Sequence, residues 1–395
     1  MVPVVERAEV TNAARTRPFV VGTAGFGAAL LFVLARLRRM AGGDISKFVV
    51  AGEQFTDRTR TGGHLFVWAD SGYDGQYYWR LAVDPTNLRV ARAHGVVFDY
   101  PLRAGRVSYT SFVWLLSLGQ QRWTAFALVA VNVLAIGALA WAGACIAVQC
   151  GRSMWFGLLA ANATGLVFSL SRDCTEVVMA AGVVVGIAAI RSRKPAMAAA
   201  AWTVAVLAHE QALCVVGTYA LFRLVDLVRE RRKPARVDLT WAVPVAAFAA
   251  WQTIASVQVG EWPVLTSGSA SVAAPFGGIA RELLRAARGE VSHYDMLFVP
   301  QLAVVALMVI VVFRTHRDLT DDDRWLAGAL TIGLLLSVCL SYNVWKGPAD
   351  LRQMTLVPTL AGVALIVSRC RIPITLLCAV ALVLLMTARV RINLL

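Results

Sequence analysis

Apolar stretches close to the length of a membrane-spanning helix recur along the chain from Phe19 to the C-terminus. A helix needs about 20 apolar residues in succession to cross the hydrocarbon core of a bilayer. The pattern therefore predicts one polytopic membrane domain over residues 1–395, all-α in class, a bundle of about eleven transmembrane helices. The predicted helices are 18–39, 123–148, 154–170, 174–190, 196–208, 211–228, 240–258, 297–313, 325–342, 354–369 and 373–390.

Basic residues fall in alternate loops between these helices, which is typical of the cytoplasmic side of a membrane protein. With the N-terminal tail 1–17 in the cytoplasm, the basic loops all lie on its side. They contain Arg152, 191–194, 229–233, 314–324, Arg369 and Arg371. Arg36, Arg38 and Arg39 are exceptions, since they follow the first helix on the other side.

The loops on the opposite side hold acidic, histidine and aromatic residues. Two of them, 41–122 and 259–296, are too long to be simple connections. Long ordered loops often carry function. The sequence therefore predicts a protein of the cell membrane whose active face is extracytoplasmic.

Composition changes this picture little. Hydrophobic residues make up 58% of the chain, and much of the net charge of +14 comes from arginines in the short loops. This charge is a topology signal, and we expect no nucleic-acid partner. The seven cysteines form no CxxC pair, and the chain lacks Walker A, GxSxG and HExxH motifs and any GxGxxG run in a βαβ setting. These absences disfavour a zinc site, a serine hydrolase and a nucleotide-dependent enzyme.

The segment 73–78 in the first long loop, which we expect to face water, combines one carboxylate with three tyrosines. Asp74 is the candidate general base, because a carboxylate can take a proton from a hydroxyl group. Two other interpretations remain: an aromatic belt at the lipid headgroups that includes Trp79, or a plain Asp-Gly turn between two short helices. Further on, residues 108–118 are apolar but too few to span, which predicts a short interfacial or re-entrant helix.

Charged clusters in the other loops supply candidate ligands for a substrate. Arg103 and Arg106 suit a phosphate group, because forked guanidinium donors match its oxygens, although unspecific contact with headgroups is the simpler alternative. Arg172, Asp173 and Glu176 stand between two predicted helices. They bind a substrate, pair with one another, or cap the next helix, where an acidic group complements the helix dipole.

Three later positions carry similar alternatives. His209 and Glu210 interrupt an apolar region, where polar groups need partners, and they form either a binding site or a structural turn. Lys346 and Arg352 precede a late helix, and Arg352 binds a lipid phosphate, pairs with an acidic residue, or extends to the headgroups. The segment 293–295, His-Tyr-Asp, is a weaker candidate for a base.

The run 72–85, Gly-Tyr-Asp-Gly-Gln-Tyr-Tyr-Trp-Arg-Leu-Ala-Val-Asp-Pro, resembles the signature of bacterial membrane proteins in the GT-C glycosyltransferase superfamily. It is similar in style to the Trp-Asp-x-x-x-Tyr motif of GPI-anchor mannosyltransferases and their actinobacterial relatives. Residues 99–118 resemble the family's Tyr-Arg-rich stretch before an apolar helix, and 171–176, 191–194 and 209–211 follow in the family's order. Arg352 before a late helix also fits, and His209 stands where the family often has arginine.

This resemblance implies a GT-C-like bundle whose first extracytoplasmic loop carries short interfacial helices. It implies inverting transfer of a sugar, mannose or a related one, from a polyprenyl-phosphate donor to a lipid or glycan acceptor, with Asp74 as the catalytic base. Cations near the site would stabilise the leaving phosphate, and an apolar groove would hold the polyprenyl tail. No protein metal ligands are implied, and assistance by a divalent cation is left open. The implied substrate-binding residues are Gln76, Tyr77, Tyr78, Arg103, Arg106, Arg172, Asp173, Glu176, His209, Glu210, Lys346 and Arg352.

Two alternatives come from other functional classes. A transporter or flippase for lipids or lipid-linked sugars would need ionisable residues near the middle of the bilayer and inverted repeats with broken helices. A non-catalytic membrane scaffold would use Asp74 and its aromatic neighbours to hold a partner loop. The polar residues cluster at one predicted face and no internal repeat is evident, which favours the enzyme.

Overall fold

Helices dominate the computed structural model, which describes residues 4–266, 272–291, 298–315, 319, 323–345, 355–368 and 371–393. The all-α class predicted from the hydrophobic pattern is confirmed. The α-helices of the described residues are α1 (Val4–Arg39), α2 (Gly75–Val83), α3 (Ser108–Ser117), α4 (Gln121–Gln149), α5 (Thr164–Ser171), α6 (Glu176–Arg191), α7 (Pro195–Ala208), α8 (Ala212–Glu230), α9 (Ala242–Val259), α10 (Gly277–Ala287), α11 (Phe298–Thr315), α12 (Arg324–Val338), α13 (Tyr342–Trp345), α14 (Leu356–Val367) and α15 (Ile374–Asn393).

The number of membrane spans stays a prediction. Helices occupy the predicted apolar segments, but the count of eleven spans is not confirmed. Within the described ranges, four helices are long and apolar enough to cross a membrane: Arg17–Arg39 of α1, α4, α9 and α15. Others are shorter; α7 has 14 residues and α14 has 12, and at about 1.5 Å per residue neither reaches across a core of about 30 Å. The long apolar helices mark the chain as a membrane protein.

Helix α4 is the centre of the bundle, and it packs against α1, α6 and the 3₁₀ segment Met154–Ala161. Small residues allow these close approaches. A Cβ atom on Gly157 would lie 2.2 Å from the backbone nitrogen of Ala144, and one on Gly186 would lie 2.2 Å from the indole nitrogen of Trp202. Membrane helices associate through such close packing, because lipid is as apolar as their side chains.

The segment after α4 is a bent pair of short apolar helices, the geometry of a broken span or a re-entrant loop. The 3₁₀ segment Met154–Ala161 and α5 meet at a bend of 63°. Asn162 lies at the break, and its side-chain amide donates hydrogen bonds to the carbonyl oxygens of Leu159 and Pro358, the second at 2.9 Å. The amide therefore satisfies a carbonyl at the break and ties the break to α14.

The charged loops occupy opposite ends of the bundle. At one end Arg191 forms an ion pair with Asp323 and donates to the sulfur of Cys150 at 3.2 Å. Arg152 donates to the carbonyl oxygen of Ser368 at the same end. Glu176 starts α6 at the other end, and this helix of 16 residues is about 24 Å long. Basic loops predicted to share one side of the membrane thus meet in the fold.

The first long loop, 41–122, is packed into the bundle, and the expectation that its segment 73–78 faces water is wrong. Tyr77, Tyr78 and Trp79 are 2%, 0% and 0% exposed. The aromatic-belt interpretation is therefore wrong for these three residues, because protein atoms surround them. The loop contains the predicted short helices, here α2 and α3, and a parallel pair of strands, β1 (Ala51–Gly52) and β2 (Val67–Trp68).

Replacing Gly157 with alanine should destabilise the bundle, because the added methyl group overlaps the backbone of α4 at Ala144. Overpacking of a tight core costs about 1–3 kcal/mol. Thermal unfolding of the detergent-solubilised protein should show a lower midpoint for Gly157→Ala. Gly27→Ala in α1 is the matched control, since a Cβ atom there meets nothing within 4 Å. Equal midpoints for the two variants would contradict this packing.

Candidate active site

Asp74 is positioned by a close crossing of three backbone segments. It immediately precedes α2, whose first residue is Gly75. A Cβ atom on Gly75 would lie 2.5 Å from the carbonyl oxygen of Val49 and 2.7 Å from that of Arg172. Glycine is therefore required for the loop before α6 to approach the start of α2. Asp74 is only 5% exposed, so it is a buried carboxylate and not part of an exposed turn.

Arg103 connects Asp74 to a second acid, Asp99. Its Nη1 atom lies 2.7 Å from Oδ2 of Asp74, and its Nε and Nη2 atoms each lie 3.2 Å from an oxygen of Asp99. The guanidinium also faces the ring of Tyr77 at 5.3 Å. Burial opposes the charge of Arg103, but the two carboxylates outweigh it and raise the pKa of Arg103 above its ordinary value. Arg103 is therefore a permanent cation shared between two acids.

Arg106 forms a second, bidentate ion pair with Glu210. Its Nη2 and Nε atoms donate to the two carboxylate oxygens at 2.6 and 3.0 Å, and Nη1 donates to the hydroxyl of Tyr78 at 2.9 Å. Burial favours neutral Glu210, but Arg106 and then His209 hold the pKa of Glu210 well below its usual range. Tyr78 lies in the first turn of α2, four residues after Asp74. It therefore connects the Arg106–Glu210 pair to the Arg103–Asp74 pair in one network.

The network continues to the start of α6 through His209. Its Nδ1 atom lies 3.6 Å from Glu210, and its Nε2 atom lies 3.8 Å from Glu176. The hydroxyl of Ser169 donates to the other oxygen of Glu176 at 3.0 Å. His209 is 1% exposed and Glu176 is 0% exposed. The predicted residues Asp74, Tyr78, Arg103, Arg106, Glu176, His209 and Glu210 are thus brought together at one end of the bundle.

Two further arginines approach this region over aromatic rings. The guanidinium of Arg172 lies 4.3 Å from the ring of Tyr73 and 4.6 Å from that of Phe168. Arg391, from the last turn of α15, lies 4.3 Å from the same Phe168 ring. Such cation–π contacts stabilise a guanidinium that is removed from water. The predicted residue Arg172 is therefore adjacent to the segment that carries Asp74.

Asp173 has an unusual environment. Its carboxylate is fully buried, and in the part of the chain that the structure describes neither oxygen accepts a hydrogen bond. Its φ angle of 52° is left-handed, a conformation that aspartate tolerates better than most residues. Burial raises the pKa of Asp173 well above its ordinary value, and the nearby Arg36 opposes this rise. Capping of α6 is therefore the wrong interpretation for Asp173, because a cap would accept backbone N–H bonds.

Gln76 stands apart from the acid–base network, whereas Tyr77 borders it through the Arg103 guanidinium over its ring. The amide oxygen of Gln76 accepts hydrogen bonds from the backbone of Gly52 at 3.1 Å and the hydroxyl of Thr56 at 2.8 Å. Gln76 thus links the start of α2 to residues 52–56 of the same loop. The ring of Tyr77 packs edge-on against Phe55 at 5.9 Å. Substrate contacts of both residues stay predictions. Lys346, Arg352 and the segment 293–295 lie outside the described residues.

An apolar groove of about 600 Å³ opens beside the network, between α3, α4, α6 and α7. Val178 in its wall is two residues after Glu176, and Val204 accepts a hydrogen bond at 2.7 Å from Ser108, two residues after Arg106. One end of the groove is therefore next to the ion pairs. Its other lining residues include Phe112, Leu116, Leu134 and Ala138.

Metal-binding capacity was assessed from the acidic, histidine and cysteine side chains. Across the described ranges, no three of these are arranged to hold a metal ion. The acids of the network have cations or hydroxyls beside them instead, as Asp74 has Arg103 and Glu176 has Ser169.

Sequence reasoning missed two cations of this region, Arg36 and Arg391. Arg36 was an exception to the loop-charge pattern, and the structure shows why: it is 1% exposed, lies near Asp173 and donates to the carbonyl oxygen of Arg391. Its departure from the loop-charge pattern was the one sequence feature that could have indicated a role for Arg36 in the site. No sequence feature indicated Arg391, because only the tertiary fold brings the end of α15 to Phe168.

No model of a known protein family matches the chain, and none of the curated proteins matches it.

Replacing Glu210 with glutamine should destabilise the protein, because Arg106 then keeps a buried charge without its acidic partner. Loss of one member of a buried pair costs about 3 kcal/mol or more. The double variant Arg106→Gln/Glu210→Gln should lose less stability than the sum of the two single variants. Denaturant unfolding of all four proteins measures this coupling, and strict additivity would contradict a direct pair.

The pH dependence of the Glu210→Gln variant should reveal the charge of Glu210. An unfolded glutamate has a pKa of about 4.3, and the folded pKa of Glu210 is lower. The stabilising contribution is therefore complete above the unfolded value and is lost as the pH falls toward the folded one. The stability difference between native protein and variant should be constant above about pH 5 and shrink below about pH 4. A difference that persists unchanged in acid would exclude the ion pair as its cause.

Proposed function

We propose that the protein is an inverting glycosyltransferase that moves a sugar from a polyprenyl-phosphate donor to a hydroxyl group of a lipid or glycan acceptor. The observation that carries the proposal is the buried network that pairs Asp74 with Arg103 and holds Arg106 at Tyr78, one helical turn away, next to one end of an apolar groove. The GT-C-like run 72–85 supports the same assignment.

Asp74 acts as the general base in this scheme. The acceptor hydroxyl transfers its proton to a carboxylate oxygen of Asp74, and the acceptor oxygen bonds to the anomeric carbon from the face opposite the phosphate. The bond between that carbon and the phosphate oxygen breaks, and its electron pair stays with the phosphate. Attack from the opposite face inverts the configuration.

Arg103 controls the basicity of Asp74. A carboxylate paired with a cation at 2.7 Å is a weak base, because the cation favours its charged form. The donor phosphate competes for the donors of Arg103 and thereby releases Asp74, while Asp99 retains the guanidinium through its two contacts. Arg103 then stabilises the charge that develops on the leaving phosphate.

The groove between α3, α4, α6 and α7 accommodates the start of the polyprenyl tail. Its walls are apolar and its end near Val178 adjoins the ion pairs, so a chain lying there carries its phosphate toward Arg106. The choice of mannose or a related sugar rests on the resemblance alone. The extracytoplasmic location of the site rests on the basic loops at the other end of the bundle.

A lipid-linked-sugar flippase is the second candidate. The span broken by 63° at Asn162 favours it, since transporters often place binding sites at broken helices. Proteoliposomes that move a labelled polyprenyl-phosphate sugar without cleaving it would support the flippase. Release of polyprenyl phosphate with inversion at the sugar would support the transferase.

Asp74→Asn should abolish transfer, with a loss of about 10²–10⁴ in rate from removal of the base. Sugar transfer from a polyprenyl-phosphate donor to a lipid-extract acceptor measures it. Asp70→Asn is the matched control, because the exposed side chain of Asp70 accepts a local hydrogen bond from the backbone of Gly72 at 2.8 Å and lies outside the buried network. Full transfer by Asp74→Asn would exclude Asp74 as the base.

Ala138→Phe should fill the apolar groove and raise the KM for a long-chain donor with little change in kcat, because it removes binding that ground and transition states share. Ala250→Phe on the exposed face of α9 is the control. Kinetics with long- and short-chain donors make the comparison. An equal change in KM for both donors would place the tail elsewhere.

A further inference from the structure

A polar pocket of about 640 Å³ lies at the end of the bundle opposite Asp74. It is formed where α4 ends, where the 3₁₀ segment Met154–Ala161 begins, and where α14 is followed by α15. Its described lining contains two arginines, Arg152 and Arg371, and no carboxylate. The pocket therefore offers positive charge to a ligand.

Arg152 is held in a defined orientation. Its Nη2 atom donates to the carbonyl oxygen of Ser368, and its guanidinium faces the ring of Phe156 at 5.6 Å. Arg371 is exposed at the edge of the same pocket. The two guanidinium groups, one ordered by neighbours and one at the entrance, suit a phosphate group with oxygens on several sides.

An apolar groove of about 390 Å³ adjoins this pocket. Phe156 lines both cavities, so they are neighbours. Trp155 and Leu158 of the 3₁₀ segment form one wall, and Leu377 and Leu384 of α15 form the other. Trp155 is 49% exposed and Leu158 is 40% exposed, so the groove lies open along the outside of the bundle.

We propose that these two neighbouring cavities bind an anionic phospholipid, with its phosphate at Arg152 and Arg371 and one acyl chain passing Phe156 into the groove along α15. The charged headgroup matches the pocket with the two arginines, and the apolar tail matches the groove next to it. Basic pockets between membrane helices on the basic side of a protein are suited to anionic lipid headgroups. The proposal is independent of the transferase reaction.

This site is separate from the polar network around Asp74. Cys150, in the pocket wall, follows the last residue of α4, whereas Tyr109, which packs against Tyr78, donates to the carbonyl of Leu128 near the other end of α4. The stretch of helix from Leu128 to Cys150 separates the two sites by about 30 Å. A lipid bound here does not occupy the proposed donor site.

Native mass spectrometry of the full-length protein with defined lipids tests the proposal. Phosphatidylglycerol should be retained more strongly than phosphatidylcholine, and Arg152→Gln/Arg371→Gln should weaken phosphatidylglycerol binding about tenfold or more. Arg193→Gln, an exposed residue at the same end, changes the charge in the same way outside the pocket and should retain binding. Arg371→Gln alone is the second variant, since its exposed side chain does not affect folding, and it should show a smaller loss.

Two further measurements distinguish binding of the lipid headgroup from binding of the acyl chain. Ala381→Trp should fill the groove and weaken binding of the long-chain lipid, while Leu382→Trp, exposed on α15 and outside the groove, should not. Glycerol phosphate and inorganic phosphate should compete poorly with the lipid. Equal lipid retention by the arginine double variant and by Arg193→Gln would overturn the proposal. Competition by inorganic phosphate as strong as by phosphatidylglycerol would show a free-phosphate site instead.

Discussion

The bidentate pair between Arg106 and Glu210 is the interaction on which the candidate site depends. It joins two segments 104 residues apart, the part of the first long loop just before α3 and the turn between α7 and α8. Charges removed from water are costly unless geometry and hydrogen bonds compensate them. Glu210 and Tyr78 therefore determine where Arg106 lies, and Arg106 in turn fixes the start of α3 and the wall of the groove.

Close backbone packing makes this electrostatic arrangement possible. Gly75 lets the loop before α6 contact the start of α2, so that acids from distant segments share one chamber. Asp173 is the member that the packing does not satisfy, a buried carboxylate in a left-handed conformation without a hydrogen bond from the described residues. Such local conflict with folding stability is common at functional sites, where chemistry and not stability determines the residue.

The hydrophobic pattern predicted the helices well, because an apolar run and its helix are both local properties of the chain. The clustering of Asp74, Arg103, Arg106 and Glu210 was also predictable, since charged residues in a mostly apolar chain are stable only where they reach water or pair with one another. Their pairing was not, because Arg103 selects Asp74 and Asp99 while its neighbour Arg106 selects Glu210, and that choice depends on tertiary contacts. Burial of the first loop was missed for the same reason. A polar-looking segment such as 73–78 gives no local sign that other helices will cover it.

The contact between α1 and α15 has a consequence for biosynthesis. Arg36 near the end of α1 donates to the carbonyl of Arg391 in α15, across a separation of 355 residues. A contact of such high sequence separation cannot form until the chain has been made through α15. Because Arg36 also lies near Asp173, the polar cluster beside α5 and α6 stays incomplete until α15 has been synthesised. Docking of α15 therefore completes the packing that α1, α5 and α6 begin.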